Sequence, residues 1–84
     1  MKINNGLISN IEKLHTTELG IQRIKRNLDL KNNDVVNWCK QEIKKMIKKN
    51  NEIYRNGKNW YAADESKIIT INAHSYTIIT AHKK

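Results

Sequence analysis

Three side chains able to move a proton or grip a phosphate, Tyr76, Thr80 and His82, occupy alternate positions near the end of the chain. In an extended strand alternate side chains share a face, so a phenol, a hydroxyl and an imidazole line one side of one element. The chemistry this set suits is RNA strand cleavage. A base takes the 2′-hydroxyl proton, an acid protonates the leaving 5′-oxygen, and cations stabilise the phosphorane-like charge. Imidazole serves as acid or base near neutral pH, each role being worth roughly 10²–10⁴-fold. Arg or Lys supplies the electrostatic part, and the scheme needs no metal or other cofactor.

The candidate catalytic residues are therefore His82, Thr80, Tyr76, His15 and Arg23, with Glu18 and Lys25 as further candidates outside the strand. The candidate RNA-binding residues are Lys58, Asn72, Arg26, Lys44, Lys45 and Lys48. Each cation has a plainer reading as a solvated surface charge, and His82 as part of a frayed terminus. Other chemistries lack residues: the His and Cys have no zinc spacing, and no phosphate-binding Gly loop or Ser nucleophile motif is present. Paired-carboxylate and redox sites are equally without candidates.

These residues need a sheet to hold them. Residues 72–82 read as a strand because Tyr, Thr and Ile dominate and no Gly or Pro interrupts. Parity puts Thr77, Ile79 and Ala81 on its other face, and pairing with a strand over 67–73 predicts an apolar set of Ile69, Ile71, Ile79 and Ala81 against helices. The opposite face then collects Thr70, Asn72, Tyr76, Thr80 and His82, with Ile68 and Ile78 among them; a one-residue bulge would invert part of this. Two further strands are expected over 52–55 and 58–63, with Trp60 and Tyr61 on opposite faces. Asn56-Gly57 between them is the dipeptide of a type I′ turn. Residues 64–66 and 74–75 make the other short links, so the four strands form an antiparallel meander.

Before residue 50 the period is helical. Leu7, Ile8, Ile11 and Leu14 predict a first short helix over 4–14. Thr16 or Thr17 caps a second, with Glu18 in its first turn and Leu19, Ile21, Ile24 and Leu28 on its buried side. Gly20 inside that pattern costs about 1 kcal/mol against Ala and suggests a close approach by another element. Residues 31–33 turn, Asn33 or Asp34 caps the next helix, and Val35, Val36, Cys39, Ile43, Met46 and Ile47 form its apolar stripe up to about residue 49. Trp38 sits near the stripe edge and Cys39 within the core. The fold class is α+β: two or three N-terminal helices on a four-stranded antiparallel meander, in one domain over 1–84.

The 84 residues carry a formal charge of +8, which points to a polyanionic partner, most simply RNA. Genome composition competes as an explanation, since thirteen Lys, thirteen Ile and twelve Asn against three Arg is the bias of an AT-rich bacterial or phage genome. A single cysteine, Cys39, permits no intramolecular disulfide and suits a cytoplasmic setting. No apolar run approaches a membrane span, and the Asn-rich N-terminus is not a signal peptide.

The phrases Leu14-His15-Thr16-Thr17-Glu18-Leu19-Gly20, Asp34-Val35-Val36 with Trp38-Cys39-Lys40, Gly57-Lys58-Asn59-Trp60-Tyr61, and Ile71-Asn72-Ala73 with 75–83 resemble a small bacterial family of domain-of-unknown-function type. More distantly, helices before a four-stranded antiparallel sheet ending in Thr80-Ala81-His82 resemble the RelE, barnase, EndoU and colicin nuclease assemblage. That resemblance implies a metal-independent endoribonuclease, often a toxin, with Thr80 and His82 on the final strand and Tyr76 nearby. With three Arg in the chain, Lys would have to serve at phosphate contacts that Arg makes better.

The function expected is a metal-independent endoribonuclease of bacterial or phage origin cutting by 2′-hydroxyl attack, with RNA and a host ribonucleoprotein or an antitoxin protein as partners. The alternative is a basic phage inhibitor of anti-CRISPR type that binds an RNA-guided nuclease or its RNA, or disarms the host by degrading its message. A DNA-binding regulator ranks last, because no recognition-helix pattern is present.

Overall fold

The change from helical to alternating hydrophobic period near residue 50 divides the molecule into a helical layer followed by a sheet. The computed structural model describes residues 7, 9–31, 34–49 and 53–84. A 3-10 turn at Ile11–Lys13 precedes helices α1 (Glu18–Leu28) and α2 (Val35–Lys48). Of the helix expected over 4–14, the Ile11–Lys13 segment is thus a 3-10 turn, and residues 1–6 and 8 lie outside the described residues, as do Asn32, Asn33 and Glu52.

Capping sets both helix starts. The Thr17 hydroxyl accepts the Gly20 N–H at 3.0 Å, with Glu18 in the first turn of α1. Asp34 Oδ1 accepts the Asn37 N–H at 3.0 Å to open α2. Asp29, in the left-handed region at φ 54°, ends α1. Gly20 is buried and a Cβ there would overlap Thr16 Oγ1, whose hydroxyl donates to the Ile78 carbonyl at 2.7 Å. The close approach that Gly20 allows is therefore by the chain just before its own helix.

Strands β1 (Ile53–Asn56), β2 (Asn59–Ala63), β3 (Lys67–Asn72) and β4 (Ile78–Lys83) form one antiparallel sheet in the order β1-β2-β3-β4. The α+β meander with helices before strands is as expected. One turn differs. Asn56 pairs with Asn59, so Gly57 and Lys58 are the central residues, and Gly57 takes positive φ at 65°. That is the type II′ arrangement, with Gly first, rather than a type I′ turn centred on Asn56-Gly57.

The core forms where the helix stripes meet one face of the sheet. Ile24, Val35, Cys39, Ile43 and Met46 pack with Trp60, Ala62, Ile69, Ile71, Ile78 and Ala81, and Leu7, Ile11 and Leu14 complete the cluster. Burial pushes the Cys39 thiol up to about 12, with the Glu42 charge adding to the effect, so it packs as an inert apolar group. Leu19, expected on the buried side of α1, is 53% exposed. Gly20 and Ile24 take the inward positions instead.

A bulge in β4 corrects the face assignments. Thr70 pairs with Thr80, but Ile71 pairs with Ile78, so Ile79 has no partner on β3. Ile78 is buried and Ile79 is 36% exposed, the reverse of the alternation expected for these two residues. Beyond the bulge the expected parity returns, with Ala81 buried and His82 exposed.

α1 runs beside β4 in the same direction. His15 forms a parallel bridge with Thr77 at the start, and the Asn27 amide donates to Thr80 Oγ1 and the Ala81 carbonyl, both at 3.3 Å, near the end. The outer edge of β4 is thereby covered by protein.

Candidate functional site on the open sheet face

The registers fix which residues share the face turned away from the core. One row across the sheet is Tyr54, Tyr61, Thr70 and Thr80; a neighbouring row is Ala63, Ile68 and His82; on the other side lie Asn56, Asn59 and Asn72. Thr70 is 8% exposed and Ala63 4%, because these short side chains sit between longer ones in register. They form a shallow floor, with Tyr54 and Tyr61 on one bank and Thr80 with Asn27 on the other. The tyrosines stack across β1 and β2, ring centroids 5.4 Å apart and 22° between planes. Asn59 Nδ2 points to the Tyr61 hydroxyl at 3.5 Å, and Asn59 Oδ1 is buried without a hydrogen-bond partner among the described residues.

Of the sequence candidates, Thr80 and His82 stand on this face as expected. Thr80 is half-buried and His82 exposed. Arg23 lies one turn before Asn27 on the side of α1 that reaches Thr80. The ion pairs among the described residues use Lys40, Lys44, Lys45 and Lys67 and none of the arginines.

Tyr76 is elsewhere. It precedes β4 at φ 60°, its N–H closing the turn onto the Asn72 carbonyl at 2.9 Å. Its ring packs against the core, 5.5 Å from Trp60, with Lys13 Nζ 5.7 Å from its centroid. The turn over 73–75 removes Tyr76 from the strand, so it does not share a face with Thr80 and His82. Tyr61 is the phenol that does.

His15 belongs to a second cluster at the start of β4. Its Nδ1 lies 3.0 Å from the Lys13 carbonyl, which can only accept, so Nδ1 carries a proton. Nε2 lies 3.1 Å from Thr77 Oγ1, which is 2.7 Å from Ser75 Oγ. With Nε2 unprotonated, the Thr77 hydroxyl donates to it. Thr77, expected to pack on the helices, instead joins this polar chain. Asn72 Oδ1 accepts the N–H groups of His74 at 2.9 Å and Ser75 at 3.0 Å, so it shapes the turn. His15 and His82 flank opposite ends of β4, roughly 15 Å apart at the strand rise. They cannot serve one phosphate together.

The basic candidates are dispersed. Lys58 sits in the β1–β2 turn at the end of the sheet away from His82, its carbonyl accepting the Ala73 N–H at 2.7 Å. Lys44 approaches Glu12 at 3.8 Å and Lys45 approaches Glu42 at 3.2 Å on α2. With Lys48 they line an open cleft of about 450 Å³ floored by Ile11 and Ile47. Arg26 lies in the last turn of α1. Among the described residues no three His, Cys, Asp or Glu side chains group as a metal site would need. No described helix is long and apolar enough to cross a membrane.

A family described as "Protein of unknown function (DUF3781)" matches residues 8–82. The chain belongs to that family. No curated protein and no solved structure matches it. In this DUF3781 chain the open sheet face joins Thr80 and His82 to three residues that sequence reasoning did not select: Tyr54, Tyr61 and Asn27. The signal for Tyr61 was present in its parity opposite Trp60. That for Asn27 was not, because only the packing of α1 along β4 brings it there.

Proposed function

We propose that this protein is a metal-independent endoribonuclease acting in the cytoplasm, with the open sheet face as its RNA surface and His82 as its general acid or base. The observation that carries the reading is the placement of His82 and Thr80 beside Tyr61 on the sheet face turned away from the core. Within residues 53–84 the acids are Asp64 and Glu65 alone, both in the β2–β3 turn, so no strand residue repels a phosphate. Helices before the sheet, with an imidazole on the last strand, are also what resemblance to the RelE, barnase, EndoU and colicin assemblage implies.

In this reading the ribose 2′-oxygen attacks the adjacent phosphorus while a base removes its proton. The new bond is 2′-O–P, the bond broken is P–O5′, and the leaving oxygen takes a proton from an acid. The products are a 2′,3′-cyclic phosphate and a 5′-hydroxyl. His82 carries one of the two proton transfers, Thr80 hydrogen-bonds a phosphate oxygen, and Arg23 on the α1 rim offsets the developing charge.

The test is incubation of purified protein with mixed RNA in EDTA, alongside His82→Ala prepared identically. Wild type should cut and His82→Ala should cut about 10²–10⁴-fold more slowly with an unchanged melting temperature. Intact RNA with wild type, or undiminished cutting by His82→Ala, contradicts the proposal.

A further inference from the structure

We infer that the open face takes unpaired RNA, with one base stacked on Tyr54 and the strand crossing the sheet toward His82. The inference rests on the ribonuclease reading for its choice of RNA, and it names the form of RNA that the face can hold.

Tyr54 is 41% exposed on β1, the edge of the sheet. Tyr61 occupies one side of its ring, and among the described residues no strand lies beyond β1 to occupy the other. The stack also holds the Tyr54 ring in place before any ligand arrives, so a base settling on it costs little further ordering. Aromatic rings on an open four-stranded sheet can stack two or three bases. From Tyr54 to Thr80 the row spans three strand spacings, about 14 Å.

The absence of strand carboxylates suits RNA, and shape favours a single strand. Lys58 stands in the turn at one end of this face, while Arg55 pairs with Trp60 and so turns to the helix side, its guanidinium 5.9 Å from the Trp60 ring centroid. His82 stands on this face at the far side of the sheet, and the strands between contribute no carboxylate. Bases inside a duplex are stacked on each other and cannot lie on Tyr54, whereas unpaired bases can. The floor at Thr70 is shallow and flanked by hydroxyl and amide groups, which suit sugars and base edges.

The test uses a fluorescein-labelled ten-nucleotide RNA, 2′-O-methylated throughout so that it cannot be cut, alone and annealed to its complement. Anisotropy titrations should show the single strand binding at least tenfold more tightly than the duplex. Tyr54→Ala should weaken single-strand binding about 5- to 150-fold, the worth of one stacked base. Tyr54→Phe, which keeps the ring, should stay within about twofold of wild type. Equal affinity for the duplex, an unaffected Tyr54→Ala of normal melting temperature, or no binding of the single strand overturns the inference. The two readings fail separately. Tyr54-dependent binding by a protein that cuts no RNA would uphold the stacking surface and reject the nuclease, and His82-dependent cutting with no Tyr54 effect would do the opposite.

Discussion

Ile71 on β3 lies opposite Ile78 on β4, one residue out of step with the Thr70–Thr80 pair beside it. The bulge so formed lets both Ile78 and Ala81 reach the core, although they are three residues apart, while Thr80 and His82 keep the open face. It also separates the two isoleucines energetically. Ile78→Ala should cost about 2–5 kcal/mol in urea unfolding. Ile79→Ala should stay within about 0.5 kcal/mol of wild type. Equal losses would mean that β4 runs without the bulge.

Gly20 and Thr16 should behave as a coupled pair. An Ala normally stabilises a helix interior by about 1 kcal/mol over Gly. Here the added Cβ overlaps Thr16 Oγ1 and disturbs its bond to Ile78, so Gly20→Ala should destabilise. Thr16→Ala clears the space, and the double variant should be more stable than the sum of the single effects by about 1 kcal/mol or more. Additive effects would place the clash elsewhere.

Acid should weaken the link between α2 and the β2–β3 turn. Lys67 Nζ is 2.8 Å from both Glu42 and Asp64, and its ammonium lies 5.7 Å from the Trp38 ring centroid. Burial, the largest single effect, would raise both carboxyls, but the hydrogen bonds and charges of Lys67 and Lys45 at Glu42, and of Lys67, the Ser66 hydroxyl and the Ser66 and Lys67 N–H groups at Asp64, together outweigh it. Both therefore sit below their ordinary values of 4.5 and 3.8. Their contribution is complete above those values and is lost as pH falls through the depressed ones. Burial would lower Lys67, but the two carboxylates raise it above 10.5, so its share is lost only as pH climbs past that. Thermal melts should show stability dropping below about pH 4. Lys67→Met should be less stable at pH 7 by about 2–3 kcal/mol, with a smaller drop in acid. An identical acid profile in Lys67→Met would remove this trio from the explanation.

Much of this was legible in the sequence, and the residues show why the rest was not. The α2 stripe reads directly because Val35, Cys39, Ile43 and Met46 keep one helical period over 14 residues. The sheet order follows from three short links. The bulge is invisible, since Ile78 and Ile79 are the same residue type and either could face the core. Periodicity puts Leu19 on the buried side because it cannot tell that Gly20 takes the inward place, and Leu19 is exposed. The tyrosine stack was hidden by one turn: centring it on Gly57-Lys58 rather than Asn56-Gly57 moves Tyr54 from opposite Asn59 to opposite Tyr61. Tyr76 left the site because the turn before β4 bends its backbone to positive φ.

His15 should prove structural. Its imidazole ties Lys13 to Thr77 at the end of β4 remote from His82. His15→Ala should lower the melting temperature slightly and slow RNA cutting by far less than the roughly 10²-fold expected for loss of a general acid or base. A catalytic-scale loss in a folded His15→Ala protein would move the centre to that end of the strand.

The most direct test of the account is the chemistry at a mapped cut site. RNA cleaved in EDTA should carry a 2′,3′-cyclic phosphate upstream and a 5′-hydroxyl downstream, resolved by mass spectrometry of the fragments. A single 2′-deoxy substitution at the nucleotide 5′ to the cut should abolish cleavage there, because the attacking oxygen is gone. Cutting that persists across the 2′-deoxy position, or fragments ending in 3′-hydroxyl and 5′-phosphate, would contradict 2′-hydroxyl attack on the open face.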